Sequence, residues 1–104
     1  MSMVSGMVAE TAMTDRPVVD LKNIGPITAR HLHTIGVLSE AELRRLGPVA
    51  VYRRIKHVDP ENTTIVLLYA LQGALTDTHW NDLPKPLKQA LQEELQRDPA
   101  PLAG

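Results

Sequence analysis

Apolar residues recur every three or four positions along most of this chain of 104 residues, which is the spacing of amphipathic helices. The one continuous apolar run starts at Ile65 and extends to Leu75, too long for a typical strand, so we predict a central buried helix there. Predicted helices cover residues 17–23, 26–34, 39–46, 48–57, 65–75 and 84–97. No stretch alternates in the manner of a strand. The fold class is therefore predicted to be all-α, a compact bundle of five to six short helices.

An internal repeat is the strongest signal in the chain. Residues 21–29, LKNIGPITA, match residues 43–51, LRRLGPVAV, in their pattern of apolar positions around a Gly-Pro pair. Glycine can adopt the left-handed conformation that ends a helix, and proline suits the first helical position. Each copy is thus predicted to form a tight turn between two helices, with the two turns alike in shape.

Local signals add detail to the helix ends and the core. Ser39 and Glu42 have capping-box spacing, so Glu42 is expected to accept from the backbone N–H of Ser39. Asn62 or Thr63 is the predicted N-cap of the central helix. Val18, Leu21 and Val19 are expected to face the core from the first helix, and so are the two tyrosines, Tyr52 and Tyr69. Trp80 is predicted to fill the space between the central and last helices, while His79 holds their loop by a hydrogen bond.

The domain boundaries follow from the same pattern. Residues 1–16 show no helical or strand period and are predicted to be a flexible leader, residues 17–97 the helical domain, and residues 98–104 a short tail. The chain is 43% hydrophobic and 22% charged, contains no cysteine, and lacks an apolar run long enough to cross a membrane. We therefore expect a cytoplasmic protein without disulfides or thiolate chemistry.

Charge is distributed unevenly although the formal net charge is only −1. Seven lysines and arginines face two glutamates between positions 22 and 57, a formal charge of +5, and the remainder carries −6. Two interpretations stay open, a solvated helix surface and a patch that attracts anions.

The second interpretation has a chemical basis at the first Gly-Pro turn. The first N–H groups of a helix have no intrahelical acceptor, and the helix dipole favours an anion such as a phosphate beside them. Backbone N–H groups of Ile27, Thr28 and Ala29 would supply these donors. The candidate nucleic-acid-binding residues are Lys22, Gly25, Ile27, Thr28, Arg30, Arg45 and Arg53. Glycines 25 and 47 equally suit a purely structural turn.

Residue patterns for catalysis or metal binding are missing from the sequence. His31 and His33 are two positions apart and face different sides of their predicted helix, while His57 and His79 have no companion ligands at suitable spacing. Acidic and serine residues show no arrangement typical of acid-base or nucleophilic catalysis. We expect no enzyme activity, no metal, no cofactor, no small-molecule substrate and no membrane contact.

The Gly-Pro repeats resemble tandem helix-hairpin-helix motifs of DNA-binding domains. Such hairpins usually carry glycine at the position of Asn23 and often lysine at that of Ile27, while Arg45 occupies the earlier glycine position of the second copy. Residues 47–54, GPVAVYRR, and 67–75, LLYALQGAL, followed by His79-Trp80 and Leu83-Pro84, resemble the C-terminal domain of the TfoX/Sxy family of competence regulators.

The similarity extends over residues 21–95 and implies a small helical domain that helps to switch on competence genes beside a transcription activator. In that family the domain is often joined to an N-terminal α/β domain, for which this chain shows no counterpart. Two functions are expected from this resemblance and from the residues. The first is a regulatory domain that contacts a transcription regulator or another protein; the alternative is a module that binds the backbone of duplex DNA without reading bases. A second copy of the chain is a further candidate partner.

Overall fold

The computed structural model describes residues 15–97, and within them the fold is all-α. Five helices follow one another: α1 (Pro26–Thr34), α2 (Glu40–Leu46), α3 (Pro48–Val58), α4 (Ile65–Thr76) and α5 (Lys85–Gln96). Two 3-10 turns, Val18–Asp20 and Trp80–Asp82, precede α1 and α5. Extended pairing in the described range is limited to a single bridge between Pro17 and Ser39. The prediction of an all-α bundle with five to six helices is confirmed.

Helix α4 lies at the centre of the core. Its residues Leu68, Leu71 and Ala74 have no exposed surface, and it packs against α2, α3 and the Trp80–Asp82 turn. Apolar residues occur on all sides of α4, and from Leu68 to Ala74 most of them are buried against neighbouring elements, whereas Val66 in the first turn is 37% exposed. The predicted central buried helix is therefore confirmed.

The other helices bury the faces that their sequence periods predict. Helix α1 buries Ala29 and Leu32, α2 buries Leu43, and α5 buries Leu91 at the middle of its leucine stripe. Helix α3 carries four buried residues, namely Val49, Val51, Tyr52 and Ile55. Tyr69 of α4 is buried as well, so both tyrosines belong to the core as predicted.

The first predicted helix is wrong. Only Val18–Asp20 forms a 3-10 turn, and Leu21 is already extended, with φ −83° and ψ 151°. Two adjacent β-branched valines disfavour a helix here, and the Val18 N–H donates to the carbonyl oxygen of Leu38 across the fold. Val18 and Leu21 are buried as expected, whereas Val19 is 52% exposed.

The two Gly-Pro turns differ in shape, so the prediction of a repeated helix-to-helix turn is also wrong. Gly47 has φ 88° and joins α2 directly to α3. Gly25 has φ −88° and ψ −178°, an extended conformation open to any residue, and between residues 15 and 24 only the 3-10 turn Val18–Asp20 precedes it. The left-handed residue in the first copy is Asn23, with φ 72°, two positions before the glycine.

Two helix caps depart from their predicted form. Ser39 Oγ accepts from the Glu42 N–H at 3.4 Å, but Glu42 Oε1 accepts from the N–H of Leu38 at 2.8 Å and not from that of Ser39. Thr64 is the N-cap of α4 by its extended backbone, without a side-chain cap hydrogen bond. The hydroxyl of buried Thr63 donates to the carbonyl oxygen of Asp59 at 2.6 Å.

The first described residues, Asp15 and Arg16, contact the N-terminus of α2. Asp15 Oδ1 accepts from the N–H of Ala41 at 2.9 Å, and the carbonyl oxygen of Arg16 accepts from the N–H of Glu40 at 2.7 Å. These contacts satisfy two first-turn donors of α2. The rest of the predicted leader, residues 1–14, and the predicted tail, 98–104, lie outside the described residues.

Candidate interaction surface

Asn23 fixes the path of the chain into α1. Its side-chain amide donates to the carbonyl oxygens of Thr78 at 2.9 Å and Ala70 at 3.3 Å, and its Oδ1 accepts from the N–H of Trp80 at 3.3 Å. One side chain therefore links the segment before α1 to α4 and to the Trp80–Asp82 turn. Asparagine is also among the few residues that adopt a left-handed conformation readily, so it suits both the bend and the bonds.

Gly73 makes room for this link. A Cβ atom built there would lie 2.5 Å from Nδ2 of Asn23 and closer still to the carbonyl oxygen of Thr78. Real Cβ atoms do not approach other heavy atoms so closely. A glycine within an otherwise apolar helical pattern is a sequence signal for such a close approach.

The N-terminus of α1 leaves two backbone donors unused. Gly25 is the N-cap without a side chain, and Pro26 occupies the first turn. The Ala29 N–H donates to the carbonyl oxygen of Gly25 at 2.9 Å, so it is not a free donor as the sequence suggested. Within the described residues, the N–H groups of Ile27 and Thr28 have no backbone acceptor.

Two grooves flank α1. The first, which we call the Trp80 groove, has a volume of about 260 Å³ and separates α1 from the start of α4. It is lined by Asn23, Ile27, Thr28, His31, Asn62, Thr63, Thr64, Val66, Leu67, Ala70 and Trp80. His31 Nε2 lies 3.3 Å from Oδ2 of Asp59 beside it. Trp80 is thus half-buried next to α1, which the sequence did not predict, while its neighbour His79 accepts from the N–H of Asn81 as expected.

The second groove, called here the Val19 groove, runs along the other side of α1. Its volume is about 570 Å³, and the described residues that line it include no carboxylate. They are Val19, Pro26, Ala29, Arg30, His33 and Thr34. Ala29 is buried, so its small side chain leaves the groove open above it.

Ile27 stands at the start of α1 and is 68% exposed, the largest exposure among the large apolar residues described. Val19 is 52% exposed and lines one groove, whereas Val66 is 37% exposed and lines the other. We refer to Val19, Ile27, Arg30 and His33, with the two grooves beside them, as the α1 surface. Exposed apolar residues thus border both grooves of α1.

The candidate phosphate-binding residues divide into separate places. Lys22, Gly25, Ile27, Thr28 and Arg30 lie together around the start of α1, because they are close in sequence. Lys22 and Arg30 are exposed, and neither side chain makes a hydrogen bond or ion pair with another described residue; the carbonyl oxygen of Arg30 accepts from the hydroxyl of Thr34. Arg45 lies in the last turn of α2 and Arg53 in α3.

Arg53 is occupied within the fold. Its guanidinium donates to the carbonyl oxygens of Glu94, Leu95 and Arg97 at 3.0, 2.9 and 2.8 Å. These carbonyls lie in the last turn and C-cap of α5, where the intrahelical bonds run out; among the three, that of Glu94 also accepts from the Arg97 N–H at 3.2 Å. A cation also suits the negative end of a helix dipole. Arg53 therefore attaches the end of α5 to α3.

Other cations of the basic stretch also have internal partners. Arg44 donates to Glu40 at 2.8 Å and to the carbonyl oxygen of Leu75 at 3.2 Å, and Lys56 donates to the carbonyl oxygens of Pro60 and Thr63. The hydrogen bond from Arg16, reinforced by Arg44, lowers the pKa of Glu40 from its ordinary value. Much of the positive charge that the sequence shows therefore serves to hold loops and helix ends.

The described residues give no metal site and no membrane span. No group of three or more potential ligands among them is arranged to hold a metal ion. Between residues 15 and 97, no helix has the length and apolar character to cross a bilayer.

Comparison with protein families matches residues 14–95 to the TfoX C-terminal domain. The chain belongs to the TfoX C-terminal domain family. The match contains Asn23, Gly73, Trp80 and the whole α1 surface. The family resemblance predicted from the sequence is confirmed, whereas the repeated helix-hairpin-helix geometry is not.

The chain is similar to one curated protein and to one solved structure. The chain is 28% identical over 81 residues to the DNA transformation protein TfoX1 of Aliivibrio fischeri (strain ATCC 700601 / ES114), covering 78% of this chain and 39% of that relative. It thus spans well under half the length of the curated relative. A crystal structure of an uncharacterized protein from Listeria monocytogenes has a TM-score of 0.70 and 29% identity, with 77% of this chain and 90% of the other covered.

Proposed function

We propose that this chain is a non-catalytic regulatory domain that acts in competence or transcription regulation by contacting another protein. Family membership and the similarity to a protein named for DNA transformation support the regulatory role. The matched part is less than half of that relative, so the mode of action has to be argued from the domain itself.

The observation that favours protein contact is the exposure of Ile27. Its side chain is 68% exposed at the first turn of α1, where a phosphate-binding hairpin would often carry lysine. An exposed isoleucine gains free energy when a partner covers it, at roughly 25 cal/mol for each Å² of apolar surface removed from water. A phosphate gains nothing from the same side chain.

A second candidate function, backbone binding to duplex DNA, has one observation in its favour. The N–H groups of Ile27 and Thr28 lack backbone acceptors in the described part of the chain, and exposed Lys22 and Arg30 lie close to them in sequence. Together these groups could hold a single phosphate. Arg53, however, is taken by the carbonyls of α5.

Duplex titration separates the two candidates. Fluorescence anisotropy of a labelled generic duplex, recorded over a range of salt concentrations, compares wild type with Arg30→Glu and Arg54→Glu. Arg54 is a matched control, since it is an exposed arginine on another helix without a partner among the described residues. Protein contact as the main activity predicts that both reversals weaken any duplex binding to a similar, small extent.

The opposite outcome is equally clear. If Arg30→Glu lowers duplex affinity about tenfold more than Arg54→Glu and also reduces the salt dependence, α1 holds phosphates and the alternative replaces our proposal.

In the cell that produces the protein, Ile27→Asp should lower expression of the regulated genes while Val58→Asp, at a site 51% exposed on α3, should not. Equal effects of these two substitutions would contradict the proposal.

A further inference from the structure

We infer that the Val19 groove receives an acidic amphipathic segment of the partner protein. This inference rests on the proposed function and adds a second contact to that of Ile27, which lines the Trp80 groove on the other side of α1. It also specifies what chemistry the partner carries there. Four features of the groove support it: its apolar wall, its cation, its missing carboxylates and its length.

The apolar wall comes from two elements. Val19 reaches the groove from the 3-10 turn and Pro26 from the start of α1, with buried Ala29 between Pro26 and the next turn. Val19 is half exposed although Val18 of the same turn and Leu21 after it are buried. An apolar side chain placed over Val19 and Pro26 would be removed from water together with them.

The charge of the groove is one-sided. Among the described residues that line it, Arg30 and His33 are ionisable and none is an aspartate or glutamate. Arg30 is exposed and has no carboxylate within 4 Å in the described part of the chain, unlike Arg16 and Arg44. A carboxylate of the partner would therefore find a guanidinium that no internal acid competes for, and an Arg-carboxylate pair can form two parallel hydrogen bonds.

The apolar and the charged residues of the groove lie in different halves of α1. Pro26 and Ala29 lie in the first half of α1, while Arg30, His33 and Thr34 lie in the second. Eight residue steps from Pro26 to Thr34 correspond to about 12 Å. The occupant is thus a segment of two to three helical turns, or a shorter extended one, with apolar side chains at one end and a carboxylate at the other.

This order also argues against the duplex backbone in this groove. A phosphate chain repeats its negative charge at every nucleotide and would set some of those charges against Val19 and Pro26. Asp20 directly follows Val19 in the same turn and would repel them. A segment with one or two carboxylates can keep them at the Arg30 end.

Site-specific crosslinking in the producing cell tests the inference on the full chain. A photoreactive amino acid replaces Val19 in one variant and Val58 in the other, which are the same residue type at 52% and 51% exposure. Crosslinked peptides are identified by mass spectrometry. We expect a peptide from another protein at position 19, containing apolar residues next to aspartate or glutamate, and none at position 58.

Charge exchange completes the test. Arg30→Glu should abolish the crosslink at position 19, Arg54→Glu should preserve it, and reversing the acidic residue of the identified segment to lysine should restore it in the Arg30→Glu background. A second copy of this chain, DNA, a segment without carboxylates, or no product at position 19 would overturn the inference. A protein crosslinked at position 58 alone would overturn it and leave the proposed function standing, whereas crosslinks to DNA alone would overturn both.

Discussion

The side-chain amide of Asn23 lies 2.9 Å from the carbonyl oxygen of Thr78, a residue 55 positions further along the chain. The same amide reaches Ala70 in α4, and its oxygen accepts from the Trp80 N–H. Asn23 therefore decides how the start of α1 is placed against α4, and with it the shape of the Trp80 groove. These hydrogen bonds are partly buried, so losing them leaves polar groups that water reaches only in part.

Replacing Asn23 separates the role of its side chain from that of its backbone. Asn23→Gly preserves the left-handed conformation and removes the three side-chain hydrogen bonds, so we expect a loss of about 1–3 kcal/mol in the free energy of unfolding. Asn23→Ala should lose roughly 1–2 kcal/mol more, since alanine is strained at φ 72°. Urea unfolding followed by circular dichroism measures both. Because Trp80 is the only tryptophan, its emission should also shift to longer wavelength. If Asn23→Gly is as stable as wild type, the link contributes nothing.

Gly73→Ala should be strongly destabilising, by about 1–3 kcal/mol, because the new methyl group overlaps the carbonyl oxygen of Thr78 and the amide of Asn23. Gly25→Ala is the matched control. An added Cβ at Gly25 meets nothing within 4 Å, and its φ of −88° suits any residue, so stability should change by less than about 0.5 kcal/mol. Equal urea midpoints for the two variants would show that α4 and the Thr78 loop are not in close contact.

Arg53→Ala is expected to destabilise the domain by about 1–3 kcal/mol, since three carbonyls at the end of α5 lose a charged donor. The neighbouring Arg54→Ala should change stability by no more than about 0.5 kcal/mol. Amide hydrogen exchange gives the local readout. Faster exchange in α5 of Arg53→Ala, with α2 and α4 less affected, is the predicted pattern, and unchanged protection of α5 would refute it.

Acid should weaken the contact between residue 16 and α2. The hydrogen bond from Arg16 lowers the pKa of folded Glu40 below its unfolded value, so its stabilising effect is complete above the unfolded pKa and disappears as the pH falls through the folded pKa. The stability difference between wild type and Glu40→Gln should therefore be largest near about pH 7 and shrink in acid. Glu93→Gln, at an exposed residue without an ion pair among the described side chains, is the control. A difference independent of pH would contradict the pKa shift.

The helical fold could be predicted because its period is strong. The bounds of α1 were predicted as they occur, and those of α3 within one residue, since proline opens both helices and each has a regular apolar face. The leucine stripe of α5 and the apolar run of α4 likewise indicated which residues of these helices are buried.

The local sequence pattern did not predict the conformation where contacts between distant residues decide it. The repeated Gly-Pro sequence suggested two equal turns, but Asn23 bends the first copy through bonds to Thr78 and Trp80 that no local rule shows. A helix over residues 17–23 would turn Val19 inward, whereas the shorter 3-10 turn leaves it half exposed. The sequence indicated a basic stretch, yet it could not show that Arg53 and Lys56 are held by carbonyls of neighbouring segments.

The central claim is that the α1 surface serves protein contact and lacks what a phosphate site needs at Ile27. Ile27→Lys introduces the lysine that DNA-binding hairpins often carry beside the free N–H groups of α1. We predict that wild type binds a generic duplex weakly. Ile27→Lys should raise the affinity and make the negative slope of log affinity against log salt steeper by about 0.9. If wild type already binds with the slope of several phosphates and Ile27→Lys adds nothing, the surface is a nucleic-acid site and the claim is wrong.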